Sequence, residues 1–332
     1  MTTMANDFKI AVVIPCYKVK EHILKVIADI GDEVSFIYAV DDKCPEKSGE
    51  YILENCNDKR VRVLFNQENQ GVGGAVIHGY KVGLTEGADV FVKVDGDGQM
   101  DPTLIKLFVR PIQHGEADYT KGNRFHEIEG LKPMPKIRLF GNAILSFMTK
   151  FSSGYYKTFD PTNGYTAISA IALKKLPLDK ISKRYFFESD ILFRLNVVSA
   201  KVLDIPMDAV YGDEVSNLNI KKILFPFLKG NIKNLCKRIF YNYFLRGFSI
   251  ASIELVLGTL LFIFGTIYGT GAWYHSVATN TPATSGTVML AALPIILGVQ
   301  FLLSFIQADI ESQPTVALTR LLGHERGNER GL

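Results

Sequence analysis

Cysteine is scarce in this chain: the four in 332 residues are Cys16, Cys44, Cys56 and Cys236, with no C-x-x-C pair and no metal-finger spacing. Neither a disulfide framework nor a structural zinc site is expected, and the thiols read as reduced groups of a cytoplasmic compartment. Net charge is small as well. Lys and Arg number 37 against 34 Asp and Glu, a formal +3, too little to favour nucleic acid as a partner. The stretch Met1 to Asp7 is short and polar, so a cleaved signal peptide is not expected. Internal repeats and low-complexity tracts are missing. The length suits one sizeable domain with an appendage, or two domains.

What the first two thirds do contain is alternation. Phe8 to Pro15, Phe36 to Val40, Val61 to Phe65 and Val90 to Val94 read as strands, with helical spacing over Glu21 to Ile30, Tyr51 to Cys56 and Gly74 to Leu84 between them. That order predicts βαβ units and a mostly parallel sheet covered on both faces. In such sheets ligands collect at the carboxyl ends of the strands. Three of those ends carry Pro15-Cys16-Tyr17, Asp41-Asp42 and the Asp95 to Gln99 cluster. Further on, the spacing predicts helices over Arg138 to Lys150 and Glu188 to Ser199, and a short strand over Val202 to Pro206.

In Asp95-Gly96-Asp97-Gly98-Gln99 the side-chain oxygens of Asp95, Asp97 and Gln99 recur two residues apart, so a tight turn can aim all three at one point. Hard oxygen ligands of this kind suit Mg²⁺ or Mn²⁺, which take their remaining ligands from water and substrate phosphates. A merely solvated acidic turn is the plain alternative.

The last third changes character. Leu228, Ile232, Leu235 and Ile239 form an apolar stripe beside Lys229, Lys233 and Lys237, the pattern of a helix lying in a membrane interface. Leu255 to Tyr274 carries no charge, and Thr287 to Ile306 is interrupted only by Gln300. A hydrocarbon core of about 30 Å needs roughly 20 such residues, so both runs are expected to span a membrane. Seven Lys and Arg lie between Lys221 and Arg246, none between His275 and Gly286, and Arg320, Arg326 and Arg330 follow. By the positive-inside rule the large N-terminal domain and the C-terminus are expected on the cytoplasmic side of the inner (cytoplasmic) membrane. The expected partition is a catalytic domain over 1–220, basic amphipathic juxtamembrane helices over 221–247, a two-helix hairpin over 248–310 and a tail over 311–332.

Val13-Ile14-Pro15-Cys16-Tyr17, Val40-Asp41-Asp42, Asn69-Gln70-Gly71 with Ala75 and Gly79, Asp95-Gly96-Asp97-Gly98-Gln99, and Gly122-Asn123-Arg124 together resemble the ordered motifs of glycosyltransferase family 2. Its subgroup of polyprenyl-phosphate glycosyltransferases is the most similar, in motifs over Lys9 to Leu218 and in architecture for the two C-terminal spans. The resemblance implies a GT-A fold, an α/β, Rossmann-like mixed and mostly parallel sheet, followed by interfacial helices and two transmembrane helices. It implies inverting transfer of a sugar from a UDP- or GDP-linked donor to a polyprenyl (undecaprenyl or dolichyl) phosphate, with a homo-oligomer left open. It further implies that Pro15, Tyr17, Asp42 and Asp41 line the nucleotide, with Gly71 and Asp95 on the nucleotide sugar, and that Asp95, Asp97 and Gln99 hold Mg²⁺ or Mn²⁺. Arg124 and Arg138 match arginines that grip the acceptor phosphate, and Asp160 and Glu188 fall at the acids near the acceptor nucleophile. A phosphate monoester has a second pKa of about 6, so Asp160 is read as either base or orienting group.

Two departures stand out. Lys18-Val19 replaces the family's Asn-Glu after the tyrosine, and Tyr211 to Leu218 lacks the family's arginine, leaving Glu214, Ser216 and Lys221 to fill its place. Competing classes fare worse. A dinucleotide-binding oxidoreductase would need glycine where Val76 stands, and Gly71-Val72-Gly73-Gly74 follows the third strand instead of the first. A processive polysaccharide synthase would need a Gln-x-x-Arg-Trp segment, yet the one tryptophan is Trp273. A non-catalytic membrane scaffold has no use for Asp95, Asp97, Gln99 and Asp160. A different membrane-proximal glycan or lipid-linked acceptor remains the nearest alternative.

Overall fold

The computed structural model describes residues 8–124, 136–161, 163–207 and 220–322, with the side chains of 136–140, 142 and 220–224 outside that description. By contacts the chain divides into one unit comprising 1–235 with 314–332, and a second comprising 236–313.

The first unit is built on strands β1 (Ile10–Cys16), β2 (Val34–Asp41), β3 (Val61–Phe65), β4 (Val90–Lys93), β5 (Tyr119–Asn123), β6 (Thr166–Ser169) and β7 (Val202–Pro206). They form one seven-stranded sheet in the order β3-β2-β1-β4-β6-β5-β7. All pairings are parallel except the two made by β6, which runs antiparallel to β4 and β5. The expected mostly parallel sheet is what forms.

The central strands are apolar on both faces because helices cover both faces. Ala11, Val13, Tyr38, Val40 and Phe91 point to one side, against Ala75, Val76 and Tyr80 of α3 (Val72–Thr85) and Ile191, Leu192 and Leu195 of α7 (Phe187–Val197). Ile10, Val12, Ile14, Ile37, Ala39, Val90 and Val92 point to the other, against Ile23, Val26 and Ile27 of α1 (Ile23–Ala28) and Ile105, Phe108, Val109 and Ile112 of α4 (Ile105–Gln113). Helix α2 (Ser48–Asn55) follows β2, α5 (Lys136–Ser153) follows β5, and α6 (Ala170–Lys175) follows β6.

Strand β5, helix α4, β6 and α6 have no counterpart in the strands and helices expected from the sequence. Pro111 lies inside α4, where proline ordinarily argues against a helix. Strand β6 has only four residues and α6 only six, too short for periodicity to show.

Residues 314–322 are grouped by contacts with the first unit. Asp118 is fully buried and accepts hydrogen bonds from the backbone N–H of Lys201 (2.9 Å), Leu318 (2.7 Å) and Thr319 (2.8 Å) and from the Thr319 hydroxyl (2.7 Å). One carboxylate thus ties the edge of the sheet to a segment 200 residues away.

Helix α8 (Ile220–Phe240) contains the division between the units and is continued by a π-helical turn at Tyr241–Leu245. In the second unit α9 (Ile250–Thr279) and α10 (Ser285–Glu311) form a hairpin, and both are long and apolar enough to cross a membrane. Glu254 accepts a hydrogen bond from the Ser304 hydroxyl at 2.8 Å, so its polarity is met inside the hairpin. Near the ends of the pair, Arg238 and Asp309 are 0 % and 3 % exposed. The guanidinium donates two parallel hydrogen bonds to the carboxylate at 2.6 and 2.7 Å, and the Tyr243 hydroxyl donates a third at 2.8 Å.

Removing one member of such a pair strands the other charge, at a cost of about 3–5 kcal/mol. Asp309→Ala is therefore expected to lower the melting temperature of the detergent-solubilised protein clearly, and Arg238→Met combined with Asp309→Leu to recover most of the loss. A single variant that melts with the wild type would show that the pair holds nothing.

Candidate functional site

The carboxyl ends of β1, β2 and β4 converge on one cleft of about 830 Å³, whose wall includes Pro15, Tyr17, Lys18, Asp42, Asn69, Gly71, Asp95, Asp97, Arg184 and Tyr185. Parallel strands ending at one edge put these residues together. Five residues expected from the sequence to meet the nucleotide sugar, Pro15, Tyr17, Asp42, Gly71 and Asp95, lie on this wall, and Asp97 joins them.

The two aspartates after β2 differ in their duties. Both oxygens of Asp41 are engaged by backbone N–H groups, from Cys44 and Gly49, each at 2.7 Å, so it organises the loop before α2 and sits behind the wall. Asp42 accepts from the Asn66 amide (2.8 Å) and from the N–H of Gln70 (2.9 Å) and Gly71 (2.7 Å). It pins the loop between β3 and α3 against the cleft. Gly71 has φ 82°, and a Cβ there would lie 2.8 Å from the Lys183 carbonyl. A side chain is excluded on both counts. The glycine-rich loop is thus spent on packing against residues 182–184, where the Lys183 carbonyl also accepts from the Gly74 N–H at 3.1 Å. At the mouth, Lys18 adopts a left-handed backbone with φ 60°, a conformation in which asparagine is commoner, and its N–H donates to the Cys44 sulfur.

Behind Asp95 stands a residue the sequence reading passed over. Lys93, at 1 % exposure, donates from Nζ to Asp95 Oδ1 at 2.6 Å and to the Gly164 carbonyl at 3.2 Å, and lies 3.8 Å from Glu188 Oε1. Burial alone would lower its pKa, but the Asp95 and Glu188 carboxylates outweigh that and hold the ammonium above its ordinary value. The signal was present in the sequence: a lysine on the same side of β4 as Phe91, where both faces of the strand are buried. A Cβ on Gly164 would lie 2.6 Å from Lys93 Nζ and 3.0 Å from Asp95 Oδ2, so a side chain there would crowd the Lys93–Asp95 pair.

A second buried lysine, Lys121, donates to the Asn163 carbonyl. Here burial wins over the favourable charges of Asp160, Glu188 and Asp204, and the pKa falls to about 8. Glu188 is pushed up by desolvation, against the pull of Lys93 and Lys121. Arg124, at the end of β5, donates Nε to Asp160 Oδ2 at 2.7 Å and Nη2 to Oδ1 at 3.2 Å. The expected acceptor-phosphate residue and the expected acid therefore form one bidentate pair, with Asp160 buried and Arg124 partly exposed. Arg124, Asp160, Glu188 and Gln99 are not part of the cleft wall. Arg138 lies in α5 with its side chain outside the described residues, as does the segment Tyr211 to Leu218.

The fit to a divalent cation can be judged from the donor set. Asp97 Oδ1 accepts from the Gln99 N–H at 3.0 Å, which shapes the turn, and Asp95 and Asp97 share the wall. Among the described residues no group of three His, Cys, Asp or Glu side chains comes together. Two carboxylates suit Mg²⁺ or Mn²⁺ completed by water and substrate phosphates, and do not make an all-protein cage.

Lys121 gives a pH test. Its folded value of about 8 lies below the ordinary 10.5, so between those values the unfolded chain binds more protons and stability rises with pH. The penalty is complete below pH 8 and gone above 10.5. Melting temperatures measured across this window should climb more steeply for the wild type than for Lys121→Met; parallel curves would exclude a neutralised Lys121.

Residues 11–176 match the profile of glycosyl transferase family 2. A UDP-N-acetylglucosamine–dolichyl-phosphate N-acetylglucosaminyltransferase of Methanococcus voltae is 34% identical over 154 residues, 46% of this chain and 61% of that relative. This chain thus spans about three fifths of that relative's length. An undecaprenyl-phosphate mannosyltransferase of Micrococcus luteus is 30% identical over 208 residues, 61% of this chain and 84% of the relative. Among solved structures, glucosyl-3-phosphoglycerate synthase from Mycobacterium tuberculosis, in complex with Mn²⁺, UDP and glucosyl-3-phosphoglycerate, superposes with a TM-score of 0.51 at 16% identity, covering 70% of this chain and 80% of that one. That likeness establishes the shared fold. With the family profile matched from β1 to the end of α6 and the loaded strand ends in place, this chain belongs to glycosyl transferase family 2.

Proposed function

We propose that the protein transfers a sugar, with inversion, from a UDP- or GDP-linked donor to a polyprenyl phosphate at the cytoplasmic leaflet. The observation that carries this reading is the cleft in which Asp95 and Asp97 share a wall with Asp42 and Tyr17, while Arg124 stands at the end of β5 in the same sheet. Relatives named for transfer to dolichyl and undecaprenyl phosphates supply the acceptor class. Two helices long and apolar enough to cross a membrane suit a lipid-linked acceptor, and the basic flanks support a catalytic unit on the cytoplasmic side.

In this reading Tyr17 and Pro15 bound the nucleotide, and Asp95 and Asp97 hold Mg²⁺ or Mn²⁺, with Gln99 as a third ligand. The Mn²⁺ complex of the Mycobacterium tuberculosis synthase supports a divalent ion in this fold. When bound, the cation supplies neutralisation of charge on the departing nucleoside diphosphate. Lys93 keeps Asp95 in place while offsetting the charge it shares with Glu188. Arg124 and Arg138 grip the acceptor phosphate, a task to which a guanidinium is suited. Asp160 holds Arg124 by both oxygens, so it orients the phosphate's partner. No base is required, since a phosphate monoester with a second pKa of about 6 is largely ionised at neutral pH. The oxygen of that phosphate attacks the anomeric carbon, and the bond to the diphosphate breaks with its electron pair leaving on the nucleotide.

Membranes containing the protein, given radiolabelled nucleotide sugars and polyprenyl phosphate, should yield an organic-extractable product that EDTA abolishes and that Asp97→Ala reduces by about 10²-fold or more. If no donor gives such a product, the assignment fails. Asp160→Asn should raise the apparent KM for the lipid phosphate while leaving the shape of the pH–rate profile unchanged; loss of the alkaline-rising limb would instead mark Asp160 as a base.

A further inference from the structure

Resting on the donor-site reading above, we infer that Arg184 is the side chain that grips the donor's diphosphate. The cleft wall carries three carboxylates, Asp42, Asp95 and Asp97, and two cations, Lys18 and Arg184. Asp42 is saturated by three donors from the neighbouring loop, and Asp95 and Asp97 line the cleft beside it. Two carboxylates offset the charge of a divalent ion, so the charge on a diphosphate is left for a cationic donor of the same cleft. Arg184 meets this need with a planar fork that can take two phosphate oxygens at once.

The loop that presents Arg184 is held from below at several points. The Asp190 carboxylate accepts from the Ser182 N–H at 2.9 Å and from Arg194 Nε at 3.0 Å. The Lys183 carbonyl accepts from Gly74 N–H, and the Arg184 side chain lies directly over Gly71, whose missing Cβ would fall 2.9 Å from Arg184 Cγ. Yet the guanidinium itself is exposed, and its contact in this fold is a 3.4 Å approach of Nη2 to the Asn69 carbonyl. A fixed backbone carrying an exposed arginine into a cleft is a preorganised anion grip. Lys18, across the mouth, is a point charge on a flexible stem and adds less geometric selectivity.

The test uses the full-length protein in detergent with Mn²⁺ and titrates nucleoside diphosphates, the matching monophosphates and the nucleosides calorimetrically. The wild type should bind one diphosphate of a panel that includes UDP and GDP. Arg184→Gln should weaken that diphosphate by about tenfold or more, weaken the monophosphate by less than about threefold and leave the nucleoside unchanged, the scale expected for one charge-assisted hydrogen-bond pair. Arg184→Lys should fall between. An unchanged melting temperature would show that the exposed position leaves the fold intact. Diphosphate affinity within about twofold of wild type in Arg184→Gln overturns the inference, as does an equal loss for all three ligands. Failure of the wild type to bind any diphosphate would instead remove the donor-site reading itself.

Discussion

The ammonium of Lys93 is the interaction on which the candidate site depends. It is buried in the central strand of the sheet and touches three segments that are far apart in sequence: the Asp95 turn, the loop ending at Gly164 and the first turn of α7 at Glu188. Without a cation there, two carboxylates would face each other in a poorly solvated space, and one would have to take up a proton. With it, Asp95 is held by a hydrogen bond from the Lys93 ammonium while it lines the cleft. Lys121 does not duplicate this role. It lies near the same acids, but burial outweighs their pull and its pKa drops to about 8, so the two lysines sit on opposite sides of one electrostatic balance.

Around that centre, polar groups divide between building the cleft and facing it. Asp41, Asp42 and Gly71 build: their hydrogen bonds and missing side chain fasten the loops after β2 and β3 to each other and to residues 182–184. Asp95, Asp97, Tyr17 and Arg184 face it. The Arg124–Asp160 pair is intermediate, because the buried acid fixes the geometry of a guanidinium that retains partial exposure. An arginine positioned in this way loses less freedom on gripping a phosphate than one swinging from a surface.

The second unit is ordered by the same principle in a less polar setting. Its helices are apolar on most faces, and buried polar groups there are paired. Glu254 of α9 meets Ser304 of α10, and Asp309 of α10 meets Arg238 of α8 and Tyr243 of the π-helical turn. In the first unit Asp118 plays a comparable part, drawing residues 318 and 319 onto the sheet edge.

The sequence by itself determined the alternation of strands and helices, the three loaded strand ends, the order of the motifs and the two apolar helices. Each of these is carried by local periodicity or composition, which burial imposes directly on neighbouring residues. Only the tertiary structure decided which charge meets which. Arg124 and Asp160 are 36 positions apart, Arg238 and Asp309 71, and Asp118 and Thr319 201. No periodicity encodes such pairings. They also separate Asp41, whose oxygens are both taken by backbone N–H groups, from Asp95, which pairs with Lys93 and lines the cleft, although the two acids look alike in the sequence. The same reason hid Arg184: a basic residue before a helix is ordinary in a sequence, and becomes a ligand-facing group only when a glycine-rich loop more than a hundred positions earlier packs beneath it.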